Sequence, residues 1–181
     1  MSISATENGL VDFVKASAIG SRVHKIETLP DLDGKKLVDH LSAKAPGIYV
    51  SYATSVMKNN LLARRYAIAV VARNSRGHDE ARHGDGVTIG LYEMIDFIQS
   101  LLHEQTIGDS TFTVRGDHPI KSEPLFKAGL YAAVIDLEAL CSIDSVHAFD
   151  GLEDFITFTA EHTIAVDAPT GNDSVTLPAP V

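Results

Sequence analysis

The run Tyr66-Ala67-Ile68-Ala69-Val70-Val71, inside "RRYAIAVVARN" (64–74), constrains this chain more than any other stretch. A strand with one wet face alternates apolar and polar residues, and this one hardly alternates. Both of its faces must therefore be covered. It reads as the central strand of a sheet with material on either side.

The second strong signal is "VTIGLYEMIDFIQSLLHEQ" (87–105). Leu91, Met94, Ile95, Ile98, Leu101 and Leu102 recur at steps of three and four, which builds one wide apolar helix face. Asp85 or Thr88 is placed to supply the N-cap oxygen. An N-terminal helix is predicted over 6–18, with Leu10, Val11, Phe13 and Val14 as its stripe and Thr6 or Asn8 as its cap. A third helix is predicted over 33–43, capped by Asp33, with Leu37, Val38 and Leu41 on one face.

Strands are predicted at "RVHKIETLP" up to Pro30, at "GIYVSYA" (47–53), at "STFTVRG" (110–116) and at "LYAAVIDLEALCSI" (130–143). Gly116-Asp117-His118-Pro119 reads as a turn. "DFITFTAEHTIAV" (154–166) alternates as a half-buried strand does. The stretch after it holds three prolines and no core pattern, and reads as a tail or arm. The order of elements implies an α/β (α+β) sandwich. It would have a mainly antiparallel or mixed sheet, the 87–105 helix across one face, and the N-terminal helix beside it. A single domain over 1–166 and a Pro-rich tail over 167–181 are expected.

Composition narrows the function. Of 181 residues, 45% are hydrophobic, enough for an ordinary core, and the formal charge is −9. An acidic surface does not suit a general or sequence-specific nucleic-acid binder, which must neutralise phosphates. No stretch approaches the ~20 apolar residues of a membrane span, so no membrane partner is expected. The start lacks the basic region and apolar run of a signal peptide. Cys141 is the single cysteine, so neither an intrachain disulfide nor a cysteine-rich zinc site is available, and its apolar neighbours suggest a buried thiol.

Between the two strongest elements lies "ARNSRGHDEARHGDG" (72–86). His78 and His83, with Asp79, Glu80 and Asp85 nearby, have the residue types of a zinc or manganese site. Zinc-enzyme helices, however, space two histidines four apart around a glutamate, and here the spacing is five. No metal or cofactor is expected. Gly84-x-Gly86 ahead of a helix suggests an anion site, but the P-loop ending and the third Rossmann glycine are missing, and Asp85 puts a negative charge there. No serine nucleophile motif is present. The chain is expected not to be an enzyme. What remains is an arginine-rich, charge-mixed stretch: Arg64, Arg65, Arg73, Arg76 and Arg82, with His83 and the acids Asp79, Glu80 and Asp85. Arginine forks suit carboxylates across subunit contacts. These nine residues are the candidate interface.

The same stretch carries a resemblance. Ala72-Arg73-Asn74, Arg76-Gly77, Ala81-Arg82-His83-Gly84, and Gly86 to Gly90 and Tyr92 follow one another as in the Mu-like prophage tail protein family, which 69–102 resembles. The resemblance implies a tail terminator (tail completion) protein, similar in fold to lambda-like tail terminators. Such a protein forms a hexameric ring that caps the tail tube, stops its polymerisation and offers the head a joining surface. Implied partners are further copies of itself, the tail tube protein, and with them the sheath protein and the head–tail connector. The implied location is the neck end of the virion tail, after assembly in the host cytoplasm. A head–tail connector or neck ring component is the alternative within the same class. A metal-dependent enzyme using His78, His83 and Asp79 is the alternative outside it.

Overall fold

The computed structural model describes residues 2–58 and 61–141, and the backbone of 157–161 and 172–176. In chain order the elements are α1 (Ile3–Ala16), a 3-10 turn (Ala18–Ser21), β1 (Lys25–Thr28), α2 (Gly34–Lys44), β2 (Gly47–Lys58) and β3 (Leu61–Arg73). There follow α3 (His78–His83), α4 (Leu91–Leu102), β4 (Thr106–Ile107), β5 (Ser110–Pro119), α5 (Glu123–Lys127) and β6 (Leu130–Cys141). β7 (Thr157–Glu161) and β8 (Asn172–Thr176) complete the set.

One sheet of six strands has the order β1-β2-β3-β6-β5-β4, with β1 parallel to β2 and every other pair antiparallel. The fold is α+β with a mixed sheet, as expected. β3 lies between β2 and β6, where its unbroken apolar run requires it to be. Ile68 is in register with Val50 on one side and Ile135 on the other.

The strand period of two sorts β3 onto two faces. Tyr66, Ile68, Val70 and Ala72 join the larger core with α1 and α4, through Leu10, Val14, Met94, Ile98 and Leu102, all buried. Each fully buried aliphatic side chain there contributes roughly 1.5–3 kcal/mol. Val71 points the other way, into a smaller core with Leu41 of α2, Tyr49, Leu125 of α5 and Ala132.

Four boundaries differ from the sequence reading. α1 starts at Ile3, because Ser2 Oγ accepts the Ala5 N–H at 3.1 Å; Thr6 is buried inside the helix and does not cap it. β2 runs five residues past Ala53, since pairing with β3 carries it on to Lys58. A bulge interrupts that pairing between Tyr52 and Thr54, where Glu7 Oε1 of α1 takes the Tyr52 N–H at 2.8 Å. α4 spans only Leu91–Leu102. Gly116–Pro119 is the far end of β5 and not a turn, held by pairing with β6 beyond a second bulge.

The chain divides into two compact units, Met1–Ser142 and Ile143–Val181. In the second, β7 and β8 form an antiparallel two-stranded ribbon. β8 falls within the expected tail, and the expected boundary at 166/167 lies outside the described residues.

Candidate interface site

Leaving β3, the chain makes a framed loop. Asn74 Oδ1 accepts the Arg76 N–H at 2.9 Å, and its Nδ2 donates to Asp85 Oδ2 at 3.2 Å. Asp85 Oδ1 in turn accepts the N–H groups of Val87 at 3.0 Å and Thr88 at 2.6 Å. Arg76 Nη1 stands 3.4 Å from Asp85 Oδ2. The Thr88 N–H, then the Asn74 amide and the Val87 N–H, with Arg76 beside them, bring the Asp85 carboxyl down to about 2. Asp85 is thus the buckle of the loop, and the expected cap of the long helix is instead Gly90, which has no side chain to cap with.

Gly90 is there for space. A Cβ on it would lie 2.2 Å from Gly84 N and 2.7 Å from Arg82 O, because the loop crosses it backbone to backbone. Gly86, with φ +82° and open surroundings, is there for its left-handed backbone.

Residues 78–83, expected as irregular loop, form the short helix α3, anchored by buried Ala81. Glu80 folds its carboxylate back over Gly77. Asp79, 77% exposed, pairs with Arg82 at 3.2 Å and His83 at 3.7 Å. The two histidines diverge. His78 Nδ1 meets the Tyr131 hydroxyl of β6, and the His83 ring stands edge-on to Tyr92 of α4 at 5.0 Å. Among the described residues no three histidine, cysteine or acidic side chains gather as a metal site.

Arg73 Nη1 donates to Ser42 O and Oγ of α2, both at 3.2 Å. It and Arg76 line a cleft of about 710 Å³ with Arg22, His24, Asp85 and Val87. Arg22 is itself held by Glu93 of α4 through its two terminal guanidinium nitrogens, Nη1 and Nη2. Val87 stands 85% exposed at this edge.

Arg64 and Arg65 do not belong to this surface. Eight residues of strand separate Arg65 from Arg73, roughly 26 Å at the rise of a β-strand. They also part from each other. Arg64 is in register with Ala139 on the α1/α4 face, and Arg65 with Glu138 on the opposite face. There Arg65 Nε stands 3.6 Å from Glu138 Oε2, Lys58 Nζ stands 3.2 Å from Oε1, and Arg115 bonds the same oxygen. Glu138 is only 3% exposed, and its carboxyl is held below the usual range by the Arg115 hydrogen bond and the Lys58 ammonium, against the opposing effect of burial. The nine candidate residues therefore do not form one surface: seven lie at the Arg73 end of β3, and Arg64 and Arg65 lie at its other end on opposite faces. Lys58, Arg115 and Glu138 escaped the sequence reading. The visible signal was a lone acid in the apolar run Leu137-Glu138-Ala139-Leu140.

Compared with known protein families, residues 2–132 match the family model described as "Bacteriophage Mu, Gp37". No curated protein matches the chain.

Proposed function

The chain belongs to the bacteriophage Mu Gp37 family, and from that premise we propose that it is a phage tail structural protein acting as the tail terminator. In this reading it forms a ring on the finished tail tube, stops polymerisation and presents the head-joining surface at the neck end of the virion. It works by contact and not by catalysis.

The family match over residues 2–132 carries the reading, and it spans the framed loop as well as Lys58, Arg65 and Arg115. The geometry supports it in two ways. A closed ring is a head-to-tail contact and needs two different patches on each subunit; the chain has distinct charged surfaces at the two ends of β3. The loop of Arg73, Arg76 and Asp85 is already fixed by hydrogen bonds, so little ordering entropy is lost when it meets a partner. Its mixed charges, with Asp79, Glu80, Arg82 and His83 on α3, set orientation and partner choice.

The test is mass in solution, by sedimentation or native mass spectrometry, with and without the tail tube protein. A ring that caps tube ends supports the assignment. A strict monomer that ignores the tube overturns it.

A further inference from the structure

Among the described residues, the second face of the sheet is only partly roofed. α2 and α5 cover it near Val71 and Ala132, and between them a groove of about 840 Å³ opens onto Ala67, Ala69 and Val134. Further along the same face, the residues in register are Thr54, Arg65 and Glu138, then Val56, Ala63 and Leu140, then Lys58 and Leu61. Val56 is 45% exposed, Leu140 46% and Leu61 39%. Beside them, Lys58, Arg65 and Arg115 converge on the one carboxylate of Glu138, a surplus of two positive charges. A cover for this end of the sheet must bring apolar side chains and negative charge together.

The chain contains such a segment. Of the net charge of −9, residues 143–181 carry −7, with seven acids from Asp144 to Asp173 and neither lysine nor arginine. Among those acids stand Phe149, Leu152, Phe155, Ile156 and Phe158. In the β7–β8 ribbon, Phe158 is in register with Val175, while Thr157 pairs with Thr176 and Thr159 with Ser174. A two-stranded ribbon is marginally stable by itself in water, and a sheet face to lie on supplies what it lacks.

We propose that the open sheet face around Lys58, Arg65, Arg115 and Leu140 docks the acidic segment 143–181 of a second copy of this chain. This rests on the ring reading above and names its contact: the acidic end of one subunit on the cationic end of the next. Opposite charges on one chain make the contact heterologous, so it repeats from subunit to subunit.

Two full-length variants test it. One reverses the segment (Asp150→Lys, Glu153→Lys, Asp154→Lys) and the other reverses the face (Lys58→Glu, Arg65→Glu). Each alone is expected to associate at least tenfold more weakly than the natural chain, and mixing the two restores assembly, because each variant's segment then fits the other's face. Raising salt from ~0.05 to ~0.5 M weakens the natural assembly. Should the face variant lose its circular dichroism signature, Val56→Asp, which leaves the cations in place, carries the same test alone. Variants that assemble like the natural chain overturn this docking and leave the ring standing. Variants that dissociate but gain nothing on mixing show docking within one chain and also overturn it. A natural chain that is monomeric and ignores the tube fails the ring reading itself.

Discussion

Lys58 and Glu138 stand 80 residues apart in the chain and 3.2 Å apart in the fold. They meet because β2, β3, β6 and β5 bring Lys58, Arg65, Glu138 and Arg115 to one face. Glu138 is buried with the heads of Lys58, Arg65 and Arg115 around its carboxylate, so removing its charge leaves three positive heads facing one another. E138Q is expected to lower stability by about 1–2 kcal/mol, below the full value of a buried charged hydrogen bond because the cations are half exposed to solvent. Urea unfolding measures it. In a double-mutant cycle with K58Q the pair should show coupling of roughly 0.5–1 kcal/mol, and additive losses would refute the link.

The Asp85 buckle makes a prediction in pH. Its carboxyl falls from the ordinary 3.8 to about 2 in the folded chain. A depressed acid contributes stability that is fully present above its unfolded value and is lost as pH falls through its folded value. The natural chain should therefore exceed D85N in stability above about pH 4, with the gap closing as the pH approaches 2. Urea midpoints between those limits measure it. A gap that stays constant across the window would show that Asp85 acts by shape alone.

The central strand and the long helix were legible in the sequence because each carries a long apolar signal, an unbroken run in the strand and a stripe at steps of three and four in the helix. Tyr66–Val71 and the Leu91–Leu102 stripe left little choice of structure. α3 was not legible: six residues with one buried side chain, Ala81, give no period to detect. The start of α4 was misplaced because Asp85 takes the N–H groups of Val87 and Thr88, and because another stretch of backbone crosses close against Gly90, neither visible in a local window. Gly116–Pro119 has turn chemistry, yet β4 pairs only with Ser110 and Thr111. Beyond them β5 is an edge, where proline is tolerated. The arginines of the candidate site were visible one by one. That Arg64 and Arg65 face opposite ways follows from strand period, but their partners on β2, β5 and β6 are set by tertiary register.

Gly86 and Gly90 should fail for different reasons. At Gly86 the surroundings are open and φ is +82°, so only the backbone objects. G86A is expected to cost about 1–2 kcal/mol, and G86N less, since asparagine visits left-handed backbone more readily. At Gly90 the backbone is ordinary, with φ −88°, and the crossing backbone of residues 82–84 fills the space. G90A should cost roughly 1–3 kcal/mol, and G90N more again. Thermal melts of the four variants settle the order. Equal ranking of alanine and asparagine at both sites would contradict these separate causes.

Tyr49 closes the account of the smaller core. It is fully buried beneath α2, its ring 6.1 Å from that of His40, and its hydroxyl has no hydrogen-bond partner among the described residues. Burial, with Glu27 adding to it, pushes its pKa from 10.0 up to about 12. The neutral form is the one the fold holds, so its contribution is complete below pH 10 and is lost as pH rises toward 12. A buried hydroxyl left unpaired costs about 1–3 kcal/mol, and phenylalanine removes it without changing the ring. Y49F is therefore expected to match or exceed the natural chain at neutral pH, by up to ~1 kcal/mol, and to lose less stability between pH 10 and 12. Part of the alkaline loss remains, because burial raises Tyr66 as well. Urea unfolding at pH 7 and across the alkaline range, with tyrosinate absorbance alongside, measures both effects. A clear loss of stability in Y49F at pH 7 would mean that the hydroxyl is bonded after all.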